Sequence, residues 1–148
     1  MHALDVDWDH PVDPRPGPQL DHVRAYVASV GADGHLWHGV HTLLLTTVGR
    51  ATGRAVRTPL IYGEDAGRLI LMASGYGTPH HPAWYHNLTA HPEVRFQAGA
   101  TLRRATAHTA GPAERETYWY LMTGLWPAYE EDQAATDREI PLVVLEPF

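Results

Sequence analysis

The chain has 148 residues, of which 44% are apolar and 19% are charged, so it has enough apolar side chains for one folded core and is not expected to be disordered. A formal net charge of −6, with histidine neutral, argues against nucleic acid as the main partner. The absence of cysteine excludes disulfides, a thiolate nucleophile and cysteine-ligated zinc.

Residues 1–18 are predicted to form an irregular arm, followed by a single domain over 19–148. Four prolines disfavour a regular helix in the arm, which also lacks the basic-then-apolar pattern of a signal peptide, so we expect a cytoplasmic protein. Apolar residues between Leu20 and Val30 recur at helical spacing and predict an amphipathic helix over 19–30. No run of about 18 apolar residues predicts a membrane span, while peripheral membrane contact stays open.

The rest of the chain alternates between strand and helix signals. Two helices are predicted over 82–90 and 112–125, and Pro141 is expected to open a final strand. The order of strands and helices favours an α+β fold, an antiparallel barrel with flanking helices, over a repeating βαβ sheet. Apolar and β-branched runs bounded by glycine predict further strands over 41–48, 57–62, 68–73, 94–98 and 101–109.

A basic segment follows the first long strand. Residues 46–60, TTVGRATGRAVRTPL, contain Arg50, Arg54 and Arg57 and no acid. Guanidinium groups bind phosphate and carboxylate in two-point contacts, and glycine turns expose further amide donors. The segment therefore predicts an anion cradle, with a solvated hairpin turn carrying ordinary surface arginines as an equal alternative. It is neither a Walker loop nor a dinucleotide fingerprint.

Aromatic residues cluster in two later segments. In ASGYGTPHHPAWYHNL (73–88), small residues allow a flat ring to approach the backbone, and Trp84 and Tyr85 are placed to wall it or to lie in the core. Near residue 126, Trp126 and Tyr129 stand three residues apart at the end of a predicted helix, where a tyrosine could donate a hydrogen bond to a carbonyl or nitro oxygen.

Other chemistries find weaker support. His35, His38 and His41 recur at three-residue intervals, but glycines interrupt the stretch, so we predict no metal site. No serine lies in a nucleophile-elbow pattern, and the adjacent acid pairs do not define a hydrolytic pair. A bound cofactor that carries the chemistry is the more economical interpretation.

Three blocks, LLLTTVGRATGRAVRTPL, ASGYGTPHHPAWYHNL and TDREIPLVVLEP, together resemble the deazaflavin-dependent nitroreductase family, whose members use coenzyme F420. The resemblance runs from about Leu43 to Pro147 and does not include the arm. It implies a split β-barrel in which the glycine–arginine turn holds the cofactor's phosphate and glutamate tail and later segments line the deazaflavin. The cofactor-binding residues that it implies are Arg50, Ala51, Thr52, Val56, Arg57, Thr58, Pro59, Leu60, Ile61, Met72, Ala73, Ser74, Gly75, Ala83, Trp84, Tyr85 and Asn87.

The resemblance also suggests catalytic residues. Tyr129 falls where the family places an active-site tyrosine, and Tyr129 with Ser74 would orient the acceptor and support charge on its oxygen. Three positions depart from the family pattern: Ala51 stands where lysine is frequent, and Trp126 and Asp132 stand where aromatic phenols are expected. Nitroimidazoles are therefore not the expected acceptors.

We predict an oxidoreductase that transfers a hydride from reduced coenzyme F420 to a small organic acceptor, which is a quinone, an enone or a nitro compound. Two alternatives stay open. The first is an FMN-dependent enzyme on the same barrel, because Arg50 and Arg57 fit the flavin phosphate equally well. The second is a non-catalytic protein that binds a cofactor or an apolar ligand. A homodimer is also left open.

Overall fold

The protein is described by a computed structural model over residues 5–148, so residues 1–4 of the predicted arm lie outside the described residues. Four helices and eight strands are present over this range, with a short 3₁₀ turn at Gly75–Gly77. In chain order they are α1 (Pro18–Ala28), β1 (Leu36–Trp37), β2 (Val40–Val48), β3 (Ala55–Ile61), β4 (Gly63–Asp65), β5 (Arg68–Met72), α2 (Ala83–Ala90), β6 (Glu93–Ala98), β7 (Thr101–Thr109), α3 (Pro112–Leu125), α4 (Ala128–Ala134) and β8 (Leu142–Pro147).

The strands form one antiparallel sheet that curves into a split β-barrel. Their order is β1-β2-β6-β7-β8-β5-β4, and β3 pairs with β2 outside this path. The α+β fold class predicted from the sequence is therefore confirmed. Within residues 5–148, β3 pairs with no strand except β2, so the other edge of β3 is available to the arm, to α1 and to a ligand.

The core lies on both faces of this sheet. Leu43, Leu71 and Val143 are fully buried inside the barrel. A second cluster packs α3 and α4 against β5 and β8, with Met122 and Ile140 at 0% exposure. Successive side chains along β2 point to opposite faces of the sheet. One set of apolar side chains therefore packs inside the barrel, and the other set packs against α1.

Three predicted boundaries are corrected. Pro18, predicted to belong to the arm, is the first residue of α1, because the first helical position needs no amide donor. The same helix ends at Ala28 rather than at residue 30, where Val30 has a positive φ of 54°. Tyr129 was expected at the end of the preceding helix but lies in the separate helix α4, which Pro127 precedes as its N-cap. In addition, the short strand β4 was not predicted and lies between the strands predicted over 57–62 and 68–73.

Candidate active site

A cleft of about 460 Å³ runs along the outer edge of β3. The strand supplies one wall, and the end of β5 with the following turn supplies the floor. Helices α1, α2 and α4 close the remaining sides. Its described lining residues are Pro18, Gln19, His22, Trp37, Thr42, Val56, Thr58, Pro59, Leu60, Ile61, Met72, Ser74, Gly75, Tyr76, Pro82, Ala83, Trp84, Trp126, Tyr129 and Asp132.

Most predicted site residues come together in this cleft. Strand β3 pairs with β2 along one of its edges, and side chains from both faces of β3 reach the cleft. Their contact with a ligand stays a prediction. The predicted residues that line the cleft are Val56, Thr58, Pro59, Leu60, Ile61, Met72, Ser74, Gly75, Ala83, Trp84 and Tyr129.

Other predicted residues lie elsewhere. Ala73 is fully buried, and its amide donates to Pro141 O at 2.9 Å, so it offers no donor to a ring. Tyr85 contacts Thr109 Oγ1 through its hydroxyl at 2.8 Å on the far side of α2. The remaining residues outside the cleft lining are Arg50, Ala51, Thr52, Arg57 and Asn87.

Asn87 holds the basic turn in place instead of lining the cleft. Its side chain is 6% exposed, donates to Thr47 Oγ1 at 3.1 Å and accepts from the Arg50 amide at 3.1 Å. A buried amide side chain must satisfy its hydrogen bonds, and here both partners belong to the β2–β3 hairpin. The hairpin tip is therefore tied to α2, and the position of β3 is set by that tie.

The three arginines of the predicted anion cradle do not line one common site. Residues 50–54 form an exposed turn, closed by a hydrogen bond from the Gly49 amide to Arg54 O at 2.7 Å. Arg57 instead lies on β3, where its Nε and Nη2 donate to the two carboxylate oxygens of Asp13 at 2.7 and 2.9 Å. The arm is thus fastened to the edge strand by a two-point ion pair.

Arg57 lines a second groove of about 430 Å³ beside the cleft. This groove also contains Arg15, and it shares Val56, Thr58 and two residues of α1 with the cleft, so the two spaces adjoin. An apolar cleft that leads into a groove with two guanidinium groups fits a flat ring that carries an anionic chain.

The far end of the cleft is aromatic. The rings of Trp37 and Trp126 lie 5.3 Å apart, and Tyr76 is 80% exposed beside them on a backbone with φ of 58°. Tyr129 is 6% exposed, and burial raises the pKa of its phenol above the ordinary value of 10. This phenol is therefore a neutral hydrogen-bond donor at physiological pH.

Arg138 anchors the loop between β5 and α2. Its Nε donates to Thr78 O at 2.9 Å, its Nη1 to Ala73 O at 3.1 Å and its Nη2 to Ser74 O. A further contact joins Nη1 to His81 Nδ1 at 2.9 Å. One guanidinium thus holds the segment that presents Ser74 and Gly75 to the cleft.

Several lining residues were not predicted. Pro18, Gln19 and His22 come from α1, and Trp37 comes from the short strand β1. No local motif marks them, because they reach the cleft only through the packing of α1 on β3. In contrast, Trp126 and Asp132 had a signal, since both depart from the family pattern.

The described residues give no structural basis for a metal centre or a membrane span. His35 and His41 stack on each other at 4.7 Å, and His38 lies against Trp37. Within residues 5–148, no three metal-ligating side chains converge on one point. No helix in that range is both long and apolar enough to cross a bilayer.

Comparison with known proteins gives consistent matches. A family model described as F420H(2)-dependent quinone reductase matches residues 20–147. An F420H(2)-dependent quinone reductase from Mycobacterium tuberculosis is 34% identical over 128 residues, which are 84% of this chain and 86% of that protein. A solved F420-H2 dependent reductase, FDR-A, superposes with a TM-score of 0.67 at 38% identity over 71% of this chain and 93% of that one. A solved domain-swapped dimer superposes with a TM-score of 0.68 at 35% identity over 85% and 98%.

Proposed function

Because this chain belongs to the F420H(2)-dependent quinone reductase family, we propose that it reduces a quinone-type acceptor with a hydride from reduced coenzyme F420. The resemblance drawn from the three sequence blocks is thereby confirmed. The observation that carries the proposal is the apolar cleft beside β3, which adjoins a groove that contains Arg15 and Arg57. Enones and nitro compounds are secondary candidate acceptors.

The family favours coenzyme F420 over the FMN alternative. Coenzyme F420, when bound in its reduced form, supplies the hydride. Leu60, Met72 and Trp84 would hold its ring between β3, β5 and α2 and keep water away from the reacting face. Arg57 would hold its anionic chain in the adjoining groove, and this role requires the Asp13 contact to open or to be shared.

Two residues would act on the acceptor. Tyr129 keeps its proton because burial raises the pKa of its phenol, so it would donate a hydrogen bond to the acceptor's oxygen and orient it. Ser74 lines the same cleft and would offer a second hydroxyl donor. On this proposal, Tyr129→Phe lowers kcat with little change in cofactor affinity, because the phenol acts on the acceptor.

Binding and turnover test the proposal directly. Purified protein is titrated with oxidised coenzyme F420 and with FMN while tryptophan fluorescence is followed, since Trp84 lies in the cleft wall. Oxidation of the reduced cofactor is then measured with a benzoquinone, a naphthoquinone, an enone and a nitroaromatic. Saturable F420 binding with quinone turnover supports the proposal. Binding without turnover by any acceptor supports a carrier protein, and tighter binding of FMN supports the flavin alternative.

Variants of the ion pair test the anionic-chain site. We expect Arg57→Ala to weaken F420 binding by about 10-fold or more, since a charge-assisted bond contributes about 1.5–3 kcal/mol. Asp13→Ala frees the guanidinium and is expected to strengthen binding. Asp9→Ala removes another aspartate of the arm, one that is exposed and outside the pair, so it is the control and is expected to have no effect. If both pair variants lower stability and leave F420 affinity unchanged, Arg57 has only a structural role.

The assembly and location of the protein stay predictions. A homodimer is supported by the domain-swapped dimer that resembles this chain at 35% identity. Light scattering of the purified protein measures its mass and would contradict this prediction if it gave the 16.4 kDa of one chain. Fractionation of the producing cells tests the cytoplasmic location.

A further inference from the structure

Helix α4 brings one carboxylate into the cleft. Of the described lining residues, only Asp132 carries an acidic side chain. It is half-buried, and none of the ion pairs found within residues 5–148 includes it. An unpaired carboxylate at an apolar surface costs stability, so packing alone gives no reason for an acid at this position.

The backbone at Asp132 is held tightly against the loop that contains Ser74. Gly77 has a positive φ of 75°, and a Cβ at this glycine would lie 2.7 Å from the carbonyl oxygen of Asp132 and 3.0 Å from Ala135 Cβ. Only glycine allows α4 to approach the loop so closely. The Asp132 side chain is therefore presented to the cleft from a fixed position.

Several neighbouring groups act on the pKa of Asp132, and the largest effect raises it. Burial raises the pKa of its carboxyl above the ordinary value of 3.8, the Ser74 hydroxyl lowers it by hydrogen bonding, and the charge of Glu131 raises it. Tyr129 and Tyr76 are the other acidic groups nearby, while Arg138 is bound to the Ser74 carbonyl. Because burial also raises the pKa of Tyr129, its phenol holds its proton more strongly than Asp132 does.

The one histidine in the described lining of the cleft is bonded to other groups. His22, on α1, contacts Gly34 O at 2.8 Å and Thr42 Oγ1 at 3.2 Å through its Nε2. The α4 end of the cleft shares no lining residue with the basic groove, so it is the end left for the acceptor when the anionic chain lies in that groove.

We propose that Asp132 supplies the proton that accompanies hydride transfer to the acceptor. This inference rests on the proposed function. The quinone gains two electrons and one proton as the hydride, and its second oxygen takes the proton from the Asp132 carboxyl. Both carbonyl groups become hydroxyls, the cofactor is oxidised by two electrons, and Asp132 is left as a carboxylate that solvent reprotonates.

The first test compares Asp132→Asn with Glu130→Gln, an exposed acid on the same helix. We expect Asp132→Asn to lower kcat by about 100-fold or more, the usual contribution of a general acid, and to leave F420 affinity within about twofold. The fall of kcat that the wild type shows at high pH should be absent in Asp132→Asn, while Glu130→Gln should behave as wild type. A kcat within about threefold of wild type with an unchanged pH profile overturns the inference. A wild type that binds F420 but reduces no quinone instead overturns the proposed function.

The second test needs no turnover. Infrared difference spectra of the cofactor-free protein, wild type against Asp132→Asn, isolate the titration of one carboxyl. We expect this carboxyl to titrate above 3.8, and to titrate higher still in Ser74→Ala, because the serine hydroxyl stabilises the carboxylate. A wild-type carboxyl that is fully ionised at neutral pH overturns the inference, since such a group has no proton to give.

Discussion

Replacing Arg138 with methionine should detach the loop between β5 and α2 from the segment that joins α4 to β8. The change keeps the aliphatic part of the side chain and removes the guanidinium donors to Ala73 O, Ser74 O and Thr78 O. Each such bond contributes about 0.5–1.5 kcal/mol net, and the partial exposure of Arg138 favours the lower half of that range. With the contact to His81 Nδ1 counted as a fourth bond, we expect a loss of about 2–4 kcal/mol in the free energy of unfolding.

Urea unfolding followed by circular dichroism measures this loss, and thermal unfolding should show a fall in Tm of about 5–15 °C for a chain of this size. F420 affinity is measured on the same samples, because the loop presents Ser74 and Gly75 to the cleft. Arg138→Lys is expected to restore only part of the stability, since a single ammonium cannot reproduce a fork that reaches three carbonyls.

Arg103→Met is the matched control. Arg103 is an exposed arginine on β7, so its removal should change stability by less than about 0.5 kcal/mol. If Arg138→Met unfolds at the same urea concentration as this control, the guanidinium does not hold the loop, and the interpretation of the contacts is wrong.

Three further outcomes are expected. Tyr26→Phe should cost about 1–3 kcal/mol, because the fully buried phenol accepts from the Gly99 amide at 2.7 Å and donates to Thr42 O at 2.9 Å; a urea midpoint equal to wild type would contradict this. Gly31→Ala should cost at least about 2 kcal/mol, since its Cβ would overlap the Gly99 backbone at a φ of 87°, and a stable, soluble variant would refute that expectation. For His81, burial and then Arg138 lower the pKa of the imidazole below 6.5, so the unfolded chain binds its proton first and stability should fall as pH drops below 6.5. His81→Asn keeps an acceptor for Arg138 and should flatten that pH dependence.

Local sequence signals accounted for most of the elements but not for every boundary. Helix α3 was predicted over 112–125 and is observed there, because Pro112 suits the first turn and no breaker follows. Helix α4 was missed, since Pro127 suggested the end of a helix and in fact precedes a new one. With that helix the orientation of Tyr129 and Asp132 was also missed.

The predicted residues that line the cleft belong to continuous segments of the sequence. These segments, on β3, at the end of β5 and at the start of α2, have a residue pattern that can be recognised without the structure. The predicted residues that lie outside the cleft lining, such as Arg57 and Asn87, include polar side chains with several potential partners. Arg57 binds Asp13, 44 residues earlier in the chain, and Asn87 binds Thr47 and the Arg50 amide.

The sequence alone determined the order of the longer strands and of three helices, the apolar faces of the barrel and the family to which the chain belongs, because these depend on periodicity and on short contiguous blocks. Only the tertiary structure decided which side chains meet at the cleft. Arg138 reaches a loop 65 residues earlier in the chain, and residues of α1 and α4 line the same cleft. Such contacts follow from strand pairing and helix packing over long separations, and no local pattern encodes which of several arginines or acids will complete them.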